Sequence, residues 1–177
     1  MTAIPVVFDD STTDILDISA RLKRGRGGIF ISGNISSEVE YEIHKAIFHS
    51  AQLADFGEFK FPDLSLNDLH IDFACRFSDA PIIGQSYGLG LGVELLRLFS
   101  GRSFNASFCY TGCVDANGCV VPVEKLREKC HGAAGRGFDR IFLPTIQLDF
   151  CQREIRQVPV ATIFEAWGVL GYEHTTA

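Results

Sequence analysis

Ser86 stands in the run Gly84-Gln85-Ser86-Tyr87-Gly88, between an apolar approach and a glycine-rich segment patterned like a helix start. At such a start the backbone N–H groups lack helical partners and lie at the positive end of the helix dipole. That place favours an anion, including the oxyanion of a tetrahedral acyl intermediate. Gly84, Gly88 and Gly90 let a substrate backbone come close. These residue types permit acyl transfer with Ser86 as nucleophile. They suit plain helix capping as well, and by themselves favour it.

A nucleophilic serine needs a base. "GQSYG" matches the G-x-S-x-G elbow, which requires a later acid and then a late histidine. Only His131 and His174 follow Ser86, and His174 lies in the tail "YEHTTA", so a conventional triad is not expected. A lysine stripped of water serves instead, because desolvation favours the neutral amine. Lys125 and Lys129 are the lysines after Ser86, both on "VEKLREKCHGAA", which reads as a helix. Lys129 is three residues after Leu126 and four before Ala133, on the shoulder of the apolar stripe. Lys125, one turn earlier, can face the same way.

Other chemistries fit less well. Gly88, Gly90 and Gly92 are spaced by two, which breaks the dinucleotide fingerprint, and no phosphate-binding G-x-x-x-x-G-K-[ST] occurs. The six cysteines (Cys75, Cys109, Cys113, Cys119, Cys130 and Cys151) include no C-x2-C pair, so no metal site is expected and they read as packed thiols. Cys109 and Cys113 fall on one face if their segment is a single strand. A net charge of -6 gives no footprint for nucleic acid. Neither a long apolar run nor a signal-like N-terminus is present, so no membrane partner and a cytoplasmic location are expected.

The 177 residues, 46% hydrophobic and 21% charged, suit one domain with a sizeable core. Strands are expected at "DILDISARLK" and, after a Gly-Arg-Gly-Gly turn, at "GIFISGN". The short basic "RLKRGRGG" reads as a solvated hairpin or turn. "SSEVEYEIHKAIFHSAQLAD" is a helix capped by Ser36 or Ser37, with a stripe of Val39, Ile43, Ala46, Ile47 and Ala51. "DLHIDFACRF" places Leu69, Ile71, Phe73 and Cys75 on one face of a strand. A helix from about Tyr87 to Ser100 ends at Gly101. "FNASFCYTGCV", the turn "DANG" and "CVVPV" form a hairpin, followed by the "VEKLREKCHGAA" helix. Strands "FDRIFLP" and "VPVATI" and a closing helix "TIFEAWGVLG" complete the chain. Strands and helices mix without regular βαβ alternation, so the expected class is a compact mixed α/β (α+β) domain over residues 1–177.

Three segments together, "RGRGGIFISGNISSEVEYEIHKAIFHSAQ", "DLHIDF" and the ungapped "GQSYGLGLGVELLRLFSGRSFNASFCYTGCVDANGCVVPVEKLREK", resemble the proteolytic domain of Lon proteases, the Ser–Lys dyad peptidases. The resemblance runs from Asp14 to about Gly168. It implies Ser86 as nucleophile, Lys129 as general base and Thr111 as a residue that orients the lysine. His70 matches the family's histidine in a supporting or structural role. Gly84, Gln85 and Tyr87 would supply backbone to the oxyanion and substrate. Three departures stand out: Ile83 replaces an acidic residue, Cys113 a glutamate, and Glu124-Lys125 a Gly-Gly pair. An apolar Ile83 beside the lysine would favour the neutral amine.

The resemblance implies an endopeptidase for unfolded or partner-delivered polypeptides, needing no metal or organic cofactor and no ATP within this chain. It further implies a homo-oligomeric six-membered ring and a separately encoded ATPase or sensor partner. Phe59, Phe61 and Leu64, exposed-looking in the loop before "DLHIDF", either serve that interface or fold over their own core. The alternative function is a non-catalytic Lon-fold module for ring assembly or for ligand or partner binding.

Overall fold

The computed structural model describes residues 1–150 and 155–173, so Cys151 and His174 lie outside it. Thr2–Val7 forms β1 and Thr13–Arg24 forms β2, antiparallel, with Ile4 opposite Leu16. Ile29–Ser32 (β3) does not return along β2. Asn67–Cys75 (β4) lies between them, antiparallel to β2 and parallel to β3. The basic segment is therefore a wide connection and no hairpin. It is held by the Asp68 carboxylate, which accepts from the N–H groups of Arg26 and Gly28, both at 2.9 Å.

The other half of the sheet is parallel. Phe108–Tyr110 (β5) pairs with β1 through Ala3 and Cys109, then with Arg140–Pro144 (β8), which pairs with Arg156–Val160 (β9). The seven strands lie in the order β3-β4-β2-β1-β5-β8-β9. Thus β1, which the sequence reading passed over, is the hinge between the antiparallel and parallel halves. Its Pro5 would block a central ladder, but β1 meets β5 only at Ala3, so no bond is lost.

Four helices complete the mixed α/β domain: Val39–Asp55 (α1), Gly88–Ser100 (α2), Leu126–Gly135 (α3) and Ile163–Glu173 (α4). Leu91 and Leu95 of α2 and Ile43 of α1 pack on Leu69, Ile71 and Phe73 of β4. The buried stripe of α1 runs Val39, Ile43, Ala46, Ser50 and Leu53, one position off the expected Ala51. Neither Ser36 nor Ser37 caps α1, whose N-cap is Glu38 without a side-chain bond. Phe59, Phe61 and Leu64 fold over the chain's own core, with Phe59 5.8 Å from Trp167 and Phe61 5.0 Å from Phe99 between ring centres. Among the described residues, no helix is long and apolar enough to cross a membrane.

The expected strand "FNASFCYTGCV" is broken. β5 stops at Tyr110, and Cys113–Val114 (β6) belongs to a separate hairpin with Val120–Val121 (β7). The "DANG" turn forms as expected, with the Asp115 carboxylate accepting from the N–H groups of Asn117 and Cys119. Cys109 is consequently in the core, whereas Cys113 turns toward a cavity.

Candidate active site

Beyond the Ala3–Cys109 bridge, β1 and β5 part, and a cavity of about 810 Å³ opens at their C-terminal ends. Open α/β sheets present ligand sites at such places. Val6, Val7 and Phe8 line it from β1, Pro81 to Ser86 from the approach to α2, Cys113 from β6, and Pro122 to Lys125 with Lys129 from α3 and its entry. Ser86 and Lys129 therefore face one space.

The turn that carries Ser86 is set by backbone. Gly84 has φ +88°, a left-handed conformation that favours glycine, and this bend swings Ser86 to the cavity. The Gly112 N–H donates to the Ser86 carbonyl at 3.0 Å, and the Leu89 N–H donates to the Gly112 carbonyl at 2.9 Å. A Cβ on Gly112 would lie 2.6 Å from the Val120 side chain, so glycine alone permits this approach. The Thr-Gly step that breaks the expected strand is thus the clamp on the serine turn.

Capping does not explain Ser86. The N-cap of α2 is Tyr87, in helical conformation and without a side-chain cap bond. The Ser86 hydroxyl has no hydrogen-bond partner among the described residues, and the N–H groups of Ser86 and Tyr87 likewise find no acceptor there. These donors at the start of α2 fit a developing oxyanion.

Lys129 is buried, 6% exposed, one turn into α3. Burial pulls its ammonium down to about 8; Cys113 and Glu124 oppose this, and the like charge of Lys125 adds to it. Ile83 lines the same cavity but is 79% exposed. Cys113 is a half-buried thiol whose ionisation is pushed up by its own burial and drawn down by Lys129. Behind it, Lys45 pairs with buried Glu42 at 2.7 Å and donates to the Val114 carbonyl.

The other anticipated residues divide. Gly84 and Gln85 line the cavity. Tyr87 sends its ring into the core against Phe73 and offers only backbone. Thr111 is fully buried behind the clamp; its N–H donates to the Phe142 carbonyl at 2.9 Å, while its hydroxyl has no hydrogen-bond partner among the described residues. His70 is remote from the cavity lining and stacks on Phe30 at 4.8 Å on the outer strands.

Sequence reasoning missed the wall contributed by Val6, Val7, Phe8, Asp9 and Asp10. The apolar run "AIPVVF" was the available signal, masked by its proline. It also began α3 too early. Lys125 is left-handed (φ 52°, ψ 37°), and Val123 is held extended by the Gln147 amide, which accepts from its N–H at 2.9 Å and donates to its carbonyl at 2.8 Å. Among the described residues, no three His, Cys, Asp or Glu side chains converge as metal ligands.

Residues 3–165 match the family described as the Lon protease (S16) C-terminal proteolytic domain. The chain is 26% identical over 148 residues to "Lon protease 2" of Bdellovibrio bacteriovorus, which covers 82% of this chain and 18% of that protein. It is 25% identical over 162 residues to "Lon protease homolog 2, peroxisomal" of Zea mays, covering 89% of this chain and 18% of that one. It thus spans less than a fifth of the length of these relatives.

Proposed function

Because the chain belongs to the Lon proteolytic-domain family, we propose that it is a serine endopeptidase in which Ser86 is the nucleophile and Lys129 the general base. The observation that carries this reading is a buried lysine, its ionisation drawn down to about 8, facing the same cavity as an uncapped serine. The neutral Lys129 amine takes the Ser86 hydroxyl proton as Oγ attacks the peptide carbonyl carbon. The carbonyl oxygen becomes an oxyanion, held by the N–H groups of Ser86 and Tyr87. The C–N bond then breaks, and the Lys129 ammonium returns the proton to the leaving amine. Water, deprotonated by Lys129, attacks the resulting ester; the acyl C–Oγ bond breaks, Lys129 returns that proton to the Ser86 oxygen, and the acid is released. Ser86, Lys129 and the attacking water account for every proton the cycle moves, so the proposed cycle calls on no cofactor.

The substrate is a polypeptide in extended form, whose backbone the glycines around Ser86 let come close. The resemblance extends this to a homo-oligomeric ring and to delivery by an ATPase or sensor partner. A non-catalytic ring or binding module gains nothing from desolvating a lysine beside a serine. The test is cleavage of casein by the purified chain and by Ser86→Ala. Cleavage by the first alone supports the reading, and equal cleavage by both contradicts it.

A further inference from the structure

Among the described residues, two non-glycines have left-handed backbones, Lys125 (φ 52°) and Ser11 (φ 66°). Glycine adopts this conformation without strain, so a lysine there points to a role for its side chain. That side chain is half-buried at the cavity, and its ammonium donates to the Phe8 carbonyl at 3.0 Å. The same carbonyl accepts the Ser11 N–H at 3.0 Å, and the Phe8 N–H donates to the Thr12 carbonyl at 3.0 Å, closing the turn between β1 and β2. The two strained residues thus share one acceptor. Lys125 also begins the helix that carries the base: the Lys129 N–H donates to the Lys125 carbonyl at 3.0 Å.

We propose that Lys125 is a positioning residue of the peptidase site: its ammonium straps the β1–β2 turn to the first turn of α3 and fixes the wall of the cavity that holds Ser86 and Lys129. This rests on the peptidase reading above. A glycine at this position would meet the backbone demand but could not tie the turn. Without the strap, Phe8 and the acidic Asp9 and Asp10 beside it are free to move relative to the base. The strap also places a positive charge one turn before Lys129. The other groups around Lys129 are Cys113 from β6, Glu124 beside Lys125 and Cys130 on α3, with Asp9 and Asp10 on the far wall and the Glu42–Lys45 pair behind Cys113. Glu124 and Cys113 favour the ammonium, and Lys125 favours the neutral amine.

The test compares Lys125→Gly, Lys125→Met and Lys125→Arg in the whole chain. Three readouts are needed: melting temperature, the pH profile of fluorophosphonate acylation at Ser86, and hydrogen exchange of the Ser11 amide. Lys125→Gly relieves the strained backbone, so it should melt no lower than wild type. It should nonetheless acylate roughly tenfold more slowly at neutral pH, as misplacement of reacting groups does. Its profile midpoint should move to higher pH, and the Ser11 amide should exchange faster. Lys125→Met should match it in acylation, midpoint and exchange, and Lys125→Arg should restore all three. Wild-type rate, midpoint and exchange in the Gly and Met variants would overturn the strap. If wild type itself does not acylate, the peptidase reading fails and the positioning role with it, while unchanged Ser11 exchange would overturn the tether as well.

Discussion

The Gly112 N–H reaches the Ser86 carbonyl at 3.0 Å, joining the Thr-Gly step to the serine turn from the opposite side of α2's first residues. Gly112→Ala places a methyl 2.6 Å from Val120 and 3.4 Å from Leu89, so the hairpin must shift or the clamp must open. The expected cost is about 1–3 kcal/mol in denaturant unfolding, as for other overpacked sites, with acylation of Ser86 slowed in parallel.

Ser86→Ala is expected to leave stability within about 0.5 kcal/mol, because no cap, hydrogen bond or core contact of the hydroxyl is lost. Casein cleavage should nevertheless vanish. Chemical denaturation and a cleavage assay on the same preparation check both halves.

Lys129→Arg should abolish cleavage, since guanidinium is no base near neutrality, whereas Lys125→Arg should retain most of it. Lys129→Met tests the burial of the charge. In the folded chain the ammonium is pulled down to about 8 from the ordinary 10.5. Below about 8 both folded and unfolded chains hold the proton, and the buried charge destabilises in full. Between these values only the unfolded chain keeps it, so stability rises with pH and the penalty is gone above the upper one. Lys129→Met should therefore be more stable than wild type at neutral pH by about 1–3 kcal/mol, an advantage that shrinks across that window. A variant less stable than wild type at neutral pH would contradict the desolvated lysine.

Much of this site was legible in the sequence because its chemistry is local. Ser86 at a glycine-rich helix start and Lys129 on the shoulder of a stripe each follow from spacing along one element. The clamp was not legible, because Gly112 meets Ser86 from 26 positions along the chain and only tertiary packing joins them. The same holds for β1: its strand character is weakened locally by Pro5 and restored by pairing with β2. The early start given to α3 failed for a related reason. Good helix formers at Glu124 and Lys125 are overruled by the Gln147 clamp on Val123 and by the tether to Phe8.

Association follows from the proposed ring. Phe59 and Phe61 pack in part against the chain's own core. Sedimentation over a concentration series should show reversible assembly above a monomer. A monomer at every concentration that still cleaves casein at full rate would reject the ring.

The most direct test of the central claim is the rate at which a fluorophosphonate acylates Ser86 as a function of pH, with the adduct located by peptide mass spectrometry. The account expects a single adduct on Ser86, absent in Lys129→Arg, at a rate that rises with pH to a plateau with a midpoint near 8 as Lys129 loses its proton. An adduct elsewhere, or an unchanged rate in Lys129→Arg, would contradict it.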